Sequence, residues 1–155
     1  MDYKYSVYDE SETIELAENI ESEHFPNMVI CLNGDLGSGK TIFTKAFAKA
    51  LGIHESITSP TFNIIKEYSD GELPLYHMDV YRLDGDIKEL NIEEYFDKGG
   101  VTIIEWADMI SNVLPEERLD IEIRITGEDS RVFILKPHGK KYEEICEAVL
   151  WCAFI

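Results

Sequence analysis

An α/β fold, with a mixed β-sheet and helices on both faces, is predicted by three features of the sequence. Short apolar runs of high β-propensity alternate with segments whose apolar residues recur at helical spacing. Two of the runs, Met28 to Asn33 and Val101 to Trp106, are continuous, as suits strands buried on both faces of a parallel sheet. Other runs are joined by turn sequences, Asp70-Gly71 and Gly127-Glu128-Asp129, which predict antiparallel hairpins. At 155 residues and 45% hydrophobic, the chain is long enough to bury one core, and 1–155 reads as a single domain.

Tyr3 to Tyr8 is the first predicted strand. A helix follows from Ser11 or Thr13, with Ile14, Leu16, Ala17 and Ile20 on its apolar side. Met28 to Asn33 is a buried strand that runs into a glycine-rich loop. Thr41 to Leu51 is a helix closed by Gly52, a residue suited to the left-handed position after a helix end. Phe62 to Tyr68 and Leu75 to Tyr81 form the first hairpin, and an acidic helical stretch is expected near Asp86 to Phe96. The strand Val101 to Trp106 precedes a helix starting near Asp108. Leu119 to Thr126 and Val132 to Lys136 form the second hairpin, and Tyr142 to Ala153 is an amphipathic helix whose apolar side suggests core packing.

Composition narrows the function. Fourteen basic against 31 acidic residues give a formal charge of -17, a field that repels nucleic acid. No stable DNA binding is therefore expected, and if the protein serves nucleic-acid chemistry a partner should do most of the holding. Solubility alone also accounts for such a charge. Met1 to Glu10 has neither the basic start nor the apolar stretch of a signal peptide, and no apolar run is long enough to cross a bilayer. A cytoplasmic protein without membrane association is expected. The three cysteines, Cys31, Cys146 and Cys152, lack metal-ligand spacing and imply no disulfide framework.

Gly34-Asp35-Leu36-Gly37-Ser38-Gly39-Lys40-Thr41 satisfies the G-x-x-x-x-G-K-[ST] pattern of a phosphate-binding loop. Its glycines let the backbone wrap round phosphates with amides turned inward, and the following helix adds its own free N-terminal amides. Lys40 is placed to reach the β- and γ-phosphates of ATP, and the Thr41 hydroxyl to ligate magnesium. The pattern occurs by chance, but here it follows an apolar strand and opens a helix. The fold is accordingly expected to be P-loop NTPase-like. Such a site needs a further carboxylate to organise the metal. Glu105 and Asp79, each ending an apolar strand, are the two candidates. Ser59-Pro60-Thr61-Phe62 lies where switch segments sit in many P-loop proteins, although a plain Ser-Pro turn would look the same. The spacing leaves Trp106 open between a core position and a ring beside the nucleotide. It gives His77 a packed or hydrogen-bonded place in preference to a catalytic one.

Three other functions share the loop. A small-molecule kinase normally closes a lid of several arginines, whereas this chain has four unclustered ones, Arg82, Arg118, Arg124 and Arg131. A GTPase would carry an Asn-Lys-x-Asp segment, which is absent. A non-catalytic nucleotide-binding regulator stays open.

The P-loop, Ser59-Pro60-Thr61-Phe62, His77-Met78-Asp79-Val80-Tyr81-Arg82-Leu83 and Ile104-Glu105-Trp106-Ala107, in this order, together resemble the TsaE family. Members are bacterial ATPases needed for threonylcarbamoyladenosine modification of tRNA, beside the anticodon of tRNAs that read codons beginning with A. The likeness runs from Ser11-Glu12-Thr13 to about Val132. It implies an accessory ATPase acting with TsaD and TsaB, with ATP on the P-loop and magnesium on Thr41 and Glu105. It further implies that Asp79 orients water or the metal shell, that Thr61 belongs to a switch-like segment and that Trp106 lines the nucleotide side or couples it to partner binding. Thr13 and Arg131 fall where the family approaches the nucleotide.

Overall fold

The computed structural model describes residues 2–58, 60, 64–81 and 91–153, with side chains followed to residue 150. Seven strands form one sheet: β1 (Tyr3–Val7), β2 (Val29–Gly34), β3 (Ile65–Tyr68), β4 (Leu75–Asp79), β5 (Val101–Glu105), β6 (Arg118–Ile125) and β7 (Arg131–His138). Their spatial order is β1-β7-β6-β2-β5-β4-β3. The four central strands, β6, β2, β5 and β4, run parallel, and antiparallel partners flank them at both edges. Both predicted hairpins are present, as β3–β4 and β6–β7. The P-loop strand β2 is central, between β5 and β6, and Val29 to Leu32 are buried on both faces. That is the setting its continuous apolar run predicts.

The three α-helices, α1 (Glu10–Glu21), α2 (Lys40–Ala50) and α3 (Lys140–Ala153), cover one face. Leu16 and Ile20 of α1, Phe43 and Phe47 of α2, and Ile145 and Val149 of α3 meet Ile30, Leu32, Ile121 and Phe133 of the sheet in one core. Aromatic contacts among Phe43, Phe47 and Phe133 stiffen its centre. The opposite face, where Val29, Cys31, Met78 and Ile104 lie, is covered among the described residues by 3-10 helices at Ile92–Asp97 and Ala107–Ile110. Helices thus lie on both faces, but the two sides differ in kind.

Both predicted helices on that second face are shorter and tighter than expected. The one expected near Asp108 starts from a left-handed Trp106 and ends at Ile110, ahead of Pro115, and a proline restricts the residue before it to extended backbone. The acidic stretch is seen only from Ile92, because 82–90 lies outside the described residues; it starts after a left-handed Asn91 and stops before Gly99-Gly100. Strand β4 stops at Asp79, two residues early, where the Tyr81 amide turns back onto the Asp79 carboxylate.

Helix α1 starts at Glu10, ahead of the expected Ser11 or Thr13. Asp9 caps α1 by accepting from the Glu12 amide at 3.0 Å. Helix α2 has no side-chain cap; left-handed Gly39 occupies that place. Its first amides are therefore left for something outside the chain. Helix α3 is fastened to the start of the P-loop strand, where the Val29 amide donates to the Tyr142 hydroxyl at 2.9 Å. Burial pushes the Tyr142 phenol up to about 12, so it stays a neutral partner. Cys31 and Cys146 are free and buried. No helix of the described residues is long and apolar enough to cross a membrane.

Candidate functional site

Parallel α/β sheets bind ligands beyond the carboxyl ends of their strands, and the predicted residues gather there. A cleft of about 230 Å³ is lined by Leu36, Gly37, Gly39, Lys40 and Thr41 from the loop and the start of α2. Ile42 of α2, Asp79 from the end of β4, Glu105 from the end of β5 and Trp106 just beyond it complete the lining. Nucleotide-sized ligands need roughly 300–1,000 Å³, so the cleft suits the phosphate end and leaves the base outside it.

Backbone geometry explains the glycines at two places. Gly37 and Gly39 take φ of 81° and 113°, left-handed values that side chains with a Cβ rarely adopt. Gly34 is needed for space: a Cβ there would lie 2.9 Å from the Ile123 carbonyl oxygen and 2.6 Å from Ser38 Oγ. Gly34→Ala is therefore expected to push the loop off β6, destabilising the fold by about 1–3 kcal/mol and weakening nucleotide binding together. A thermal melt paired with nucleotide titration checks it; an unchanged melting temperature contradicts it.

Lys40, 6% exposed, donates to the carbonyls of Gly34 and, at 3.2 Å, Asp35. Its Nζ also lies 4.2 Å from the centre of the Trp106 ring. Burial pushes its ammonium below the usual lysine range, while Glu105, Asp79 and Asp35 pull it back up. Trp106 holds a left-handed φ of 62°, and a non-glycine residue in that region is strained by about 1 kcal/mol or more. The conformation carries the indole onto the cleft wall, against Tyr81 with ring centres 4.6 Å apart. The sequence left Trp106 between core and cleft; the structure puts it on the cleft.

Asp79 and Glu105 are register partners on adjacent parallel strands, so they point to the same side at the same edge. Glu105 is 4% exposed, and its Oε2 sits 2.6 Å from His77 Nε2. Asp79 is half-buried and accepts from the Tyr81 amide at 3.1 Å. Two carboxylates side by side repel each other, and the Lys40 ammonium relieves part of that. With the exposed Thr41 hydroxyl they form an all-oxygen donor set, the kind a hard cation such as magnesium takes. The uncapped α2, the left-handed glycines and Lys40 likewise fit a phosphate chain.

Other predicted residues sit differently. Arg131 lies on the outer side of the loop: its Nε donates to Ser38 O and its Nη2 to Gly37 O, both at 3.1 Å, and its Nη1 to the Gly127, Glu128 and Ser130 carbonyls. It holds the loop's shape without lining the cleft. Thr13 is buried on α1, away from the cleft lining. Ser38 is buried under the loop beside Gly34, its hydroxyl without a partner among the described residues. Thr61, Ser59 and Phe62 lie outside the described residues. His77, given a packed or hydrogen-bonded place by the sequence, is buried and hydrogen-bonded; what the sequence did not show is its partner, Glu105. The signal present was its place two residues before Asp79, on the same strand face; the register that aims it at Glu105 was not readable.

A family model described as threonylcarbamoyl adenosine biosynthesis protein TsaE matches residues 7–133. The tRNA threonylcarbamoyladenosine biosynthesis protein TsaE of Bacillus subtilis (strain 168) is 47% identical over 144 residues, covering 93% of this chain and 91% of its own. That of Rickettsia bellii is 37% identical over 126 residues, covering 79% and 87%. The crystal structure of Bacillus subtilis YdiB has a TM-score of 0.85 at 42% identity, covering 99% of this chain and 97% of its own.

Proposed function

The chain belongs to the TsaE family, with a role in tRNA threonylcarbamoyladenosine biosynthesis, and on that premise we propose that it binds ATP with magnesium in the cleft and hydrolyses it to ADP and phosphate in service of that modification. The observation that carries this reading is one cleft holding the P-loop, Lys40 and the paired carboxylates of Asp79 and Glu105.

The loop amides and the uncapped start of α2 donate to phosphate oxygens, preorganised before any ligand arrives. Lys40 exchanges its contacts with the Gly34 and Asp35 carbonyls for the β- and γ-phosphates. Thr41 and Glu105 would hold magnesium, which would supply positive charge against the negative charge on the transferred phosphoryl group. Asp79 orients water or the metal shell, and Thr61 belongs to the switch segment. Trp106 walls the phosphate side. Arg131 acts on the nucleotide through the loop that it braces.

Partners complete the reaction. Among the described residues, each arginine is engaged away from the cleft: Arg118 with Asp120, Arg124 with Glu122, and Arg131 with the loop. Around the cleft mouth, Leu36, Tyr81, Met109 and Ile125 are large apolar side chains at least 49% exposed. Leu36 lines the cleft, Tyr81 packs on Trp106, and Met109 and Ile125 border a neighbouring groove that also includes Trp106. An apolar rim of this kind suits a protein surface. This reading assigns TsaD and TsaB as partners, with tRNA reached through them. Turnover should be slow alone and rise at least about tenfold when TsaD and TsaB are added, as when a partner orders a switch or lends a cation. Equal turnover with and without them sinks the partner assignment; ATP binding with no turnover in either case favours a non-catalytic regulator.

A further inference from the structure

His77 occupies an apolar column. Its neighbours on the same side of the sheet are Leu75, Val101 and Ile103, all fully buried, and His77 itself is 1% exposed. Packing alone would be served by a leucine there. A buried polar side chain in such a place needs a partner, because desolvation without a hydrogen bond is costly.

The partner is Glu105, and the contact is diagonal. In the parallel β4–β5 pair, Asp79 stands opposite Glu105 and His77 opposite Ile103, so the imidazole reaches one step along the sheet to the carboxylate. The other ring nitrogen, Nδ1, is buried with no hydrogen-bond partner among the described residues. Nε2 lies 2.6 Å from Glu105 Oε2, and a carboxylate oxygen accepts, so the ring donates its Nε2–H there.

We infer that His77 is a positioning residue for Glu105: its Nε2–H fixes one carboxylate oxygen against the sheet and turns the other toward the cleft, where a divalent cation bound with the nucleotide would meet it. The inference rests on the proposed nucleotide site and adds the residue that sets the orientation of its buried acid. The hydrogen bond engages one carboxylate oxygen and leaves the other for a metal. Lys40, in the same cleft, is left to serve phosphate. Outer hydrogen bonds to ligating groups typically contribute about 10–100-fold to metal affinity.

Two substitutions separate the hydrogen bond from packing. His77→Leu fills the space without a donor, and His77→Gln keeps an N–H near the Nε2 position. Manganese binding to the protein–ADP complex, followed by electron paramagnetic resonance, is expected to weaken about tenfold in His77→Leu and to recover to within about threefold in His77→Gln. ADP affinity without metal should stay the same in both. Metal affinity in His77→Leu within twofold of the parent, or equal losses in both variants, overturns the inference while leaving the nucleotide site standing. If the parent protein itself binds no manganese with ADP, the nucleotide reading falls and this inference with it. A metal-free check comes from nitrogen NMR of the apo protein. It should show a proton on His77 Nε2, and an Nε2 without one overturns the assignment even if manganese binds.

Discussion

Lys40→Met is expected to remove productive ATP binding and to cut any turnover at least about 100-fold, the scale of losing one preorganised charge-stabilising donor. Methionine keeps an unbranched apolar stem but removes the ammonium that lies over Trp106, so the loss reads charge and not volume. The fold should survive. Burial already depresses the Lys40 ammonium, and its hydrogen bonds go to the carbonyls of Gly34 and Asp35 in a confined space. Holding a cation there opposes folding unless the neighbouring acids offset it. The melting temperature of Lys40→Met should therefore equal or exceed that of the parent, even as nucleotide affinity collapses. Such opposed changes mark a residue kept for function at a cost in stability. Titration with ATP and a thermal melt test both halves. Binding within threefold of the parent sinks the role given to Lys40. A fall in melting temperature would mean that the ammonium stabilises the apo loop.

How far the site was legible depended on whether its parts are local in sequence. The phosphate-binding loop is one contiguous run between a buried strand and a helix, so its shape and place followed from residue types alone. Asp79 and Glu105 were also legible, because each ends an apolar strand and the parallel arrangement sends both ends to one edge. What sequence pattern did not carry was register. His77 reaches Glu105 only because Asp79 pairs with Glu105 and not with a neighbour, and a slip of one residue would send it to the other face. Arg131 shows the same limit: its guanidinium bonds residues 93 and 94 positions earlier, with no local motif to announce it. The left-handed backbone of Trp106 was likewise unreadable, since local propensity argues against it and tertiary packing imposes it. On the second face, helical composition was right about coil direction but not about hydrogen-bond period. Runs of four and six residues, started from left-handed backbone, closed as 3-10 turns.

The division of labour between the two acids yields the second large effect. Glu105→Gln is nearly isosteric, and its amide oxygen can still accept from the His77 Nε2–H, so the side chain should keep its place while losing its charge. Magnesium-dependent turnover is expected to fall about 100-fold or more, because a hard cation loses an anionic ligand at its most buried contact. Nucleotide affinity without metal should hold or rise, since one negative charge beside the phosphates has gone. Asp79→Asn should lose about tenfold in turnover, with metal affinity nearly unchanged, as befits a group that orients water or the metal shell. Burial favours this order: Glu105 is enclosed and braced by His77, whereas Asp79 is half-buried and tied to the Tyr81 amide. Measuring turnover against magnesium concentration for both variants decides the matter. A shift in the magnesium dependence belongs to the ligand, and a drop in maximal rate at saturating metal belongs to the orienting acid. If Asp79→Asn shifts the magnesium curve and Glu105→Gln lowers only the maximum, the two roles must be exchanged, and His77 then braces the acid that handles water.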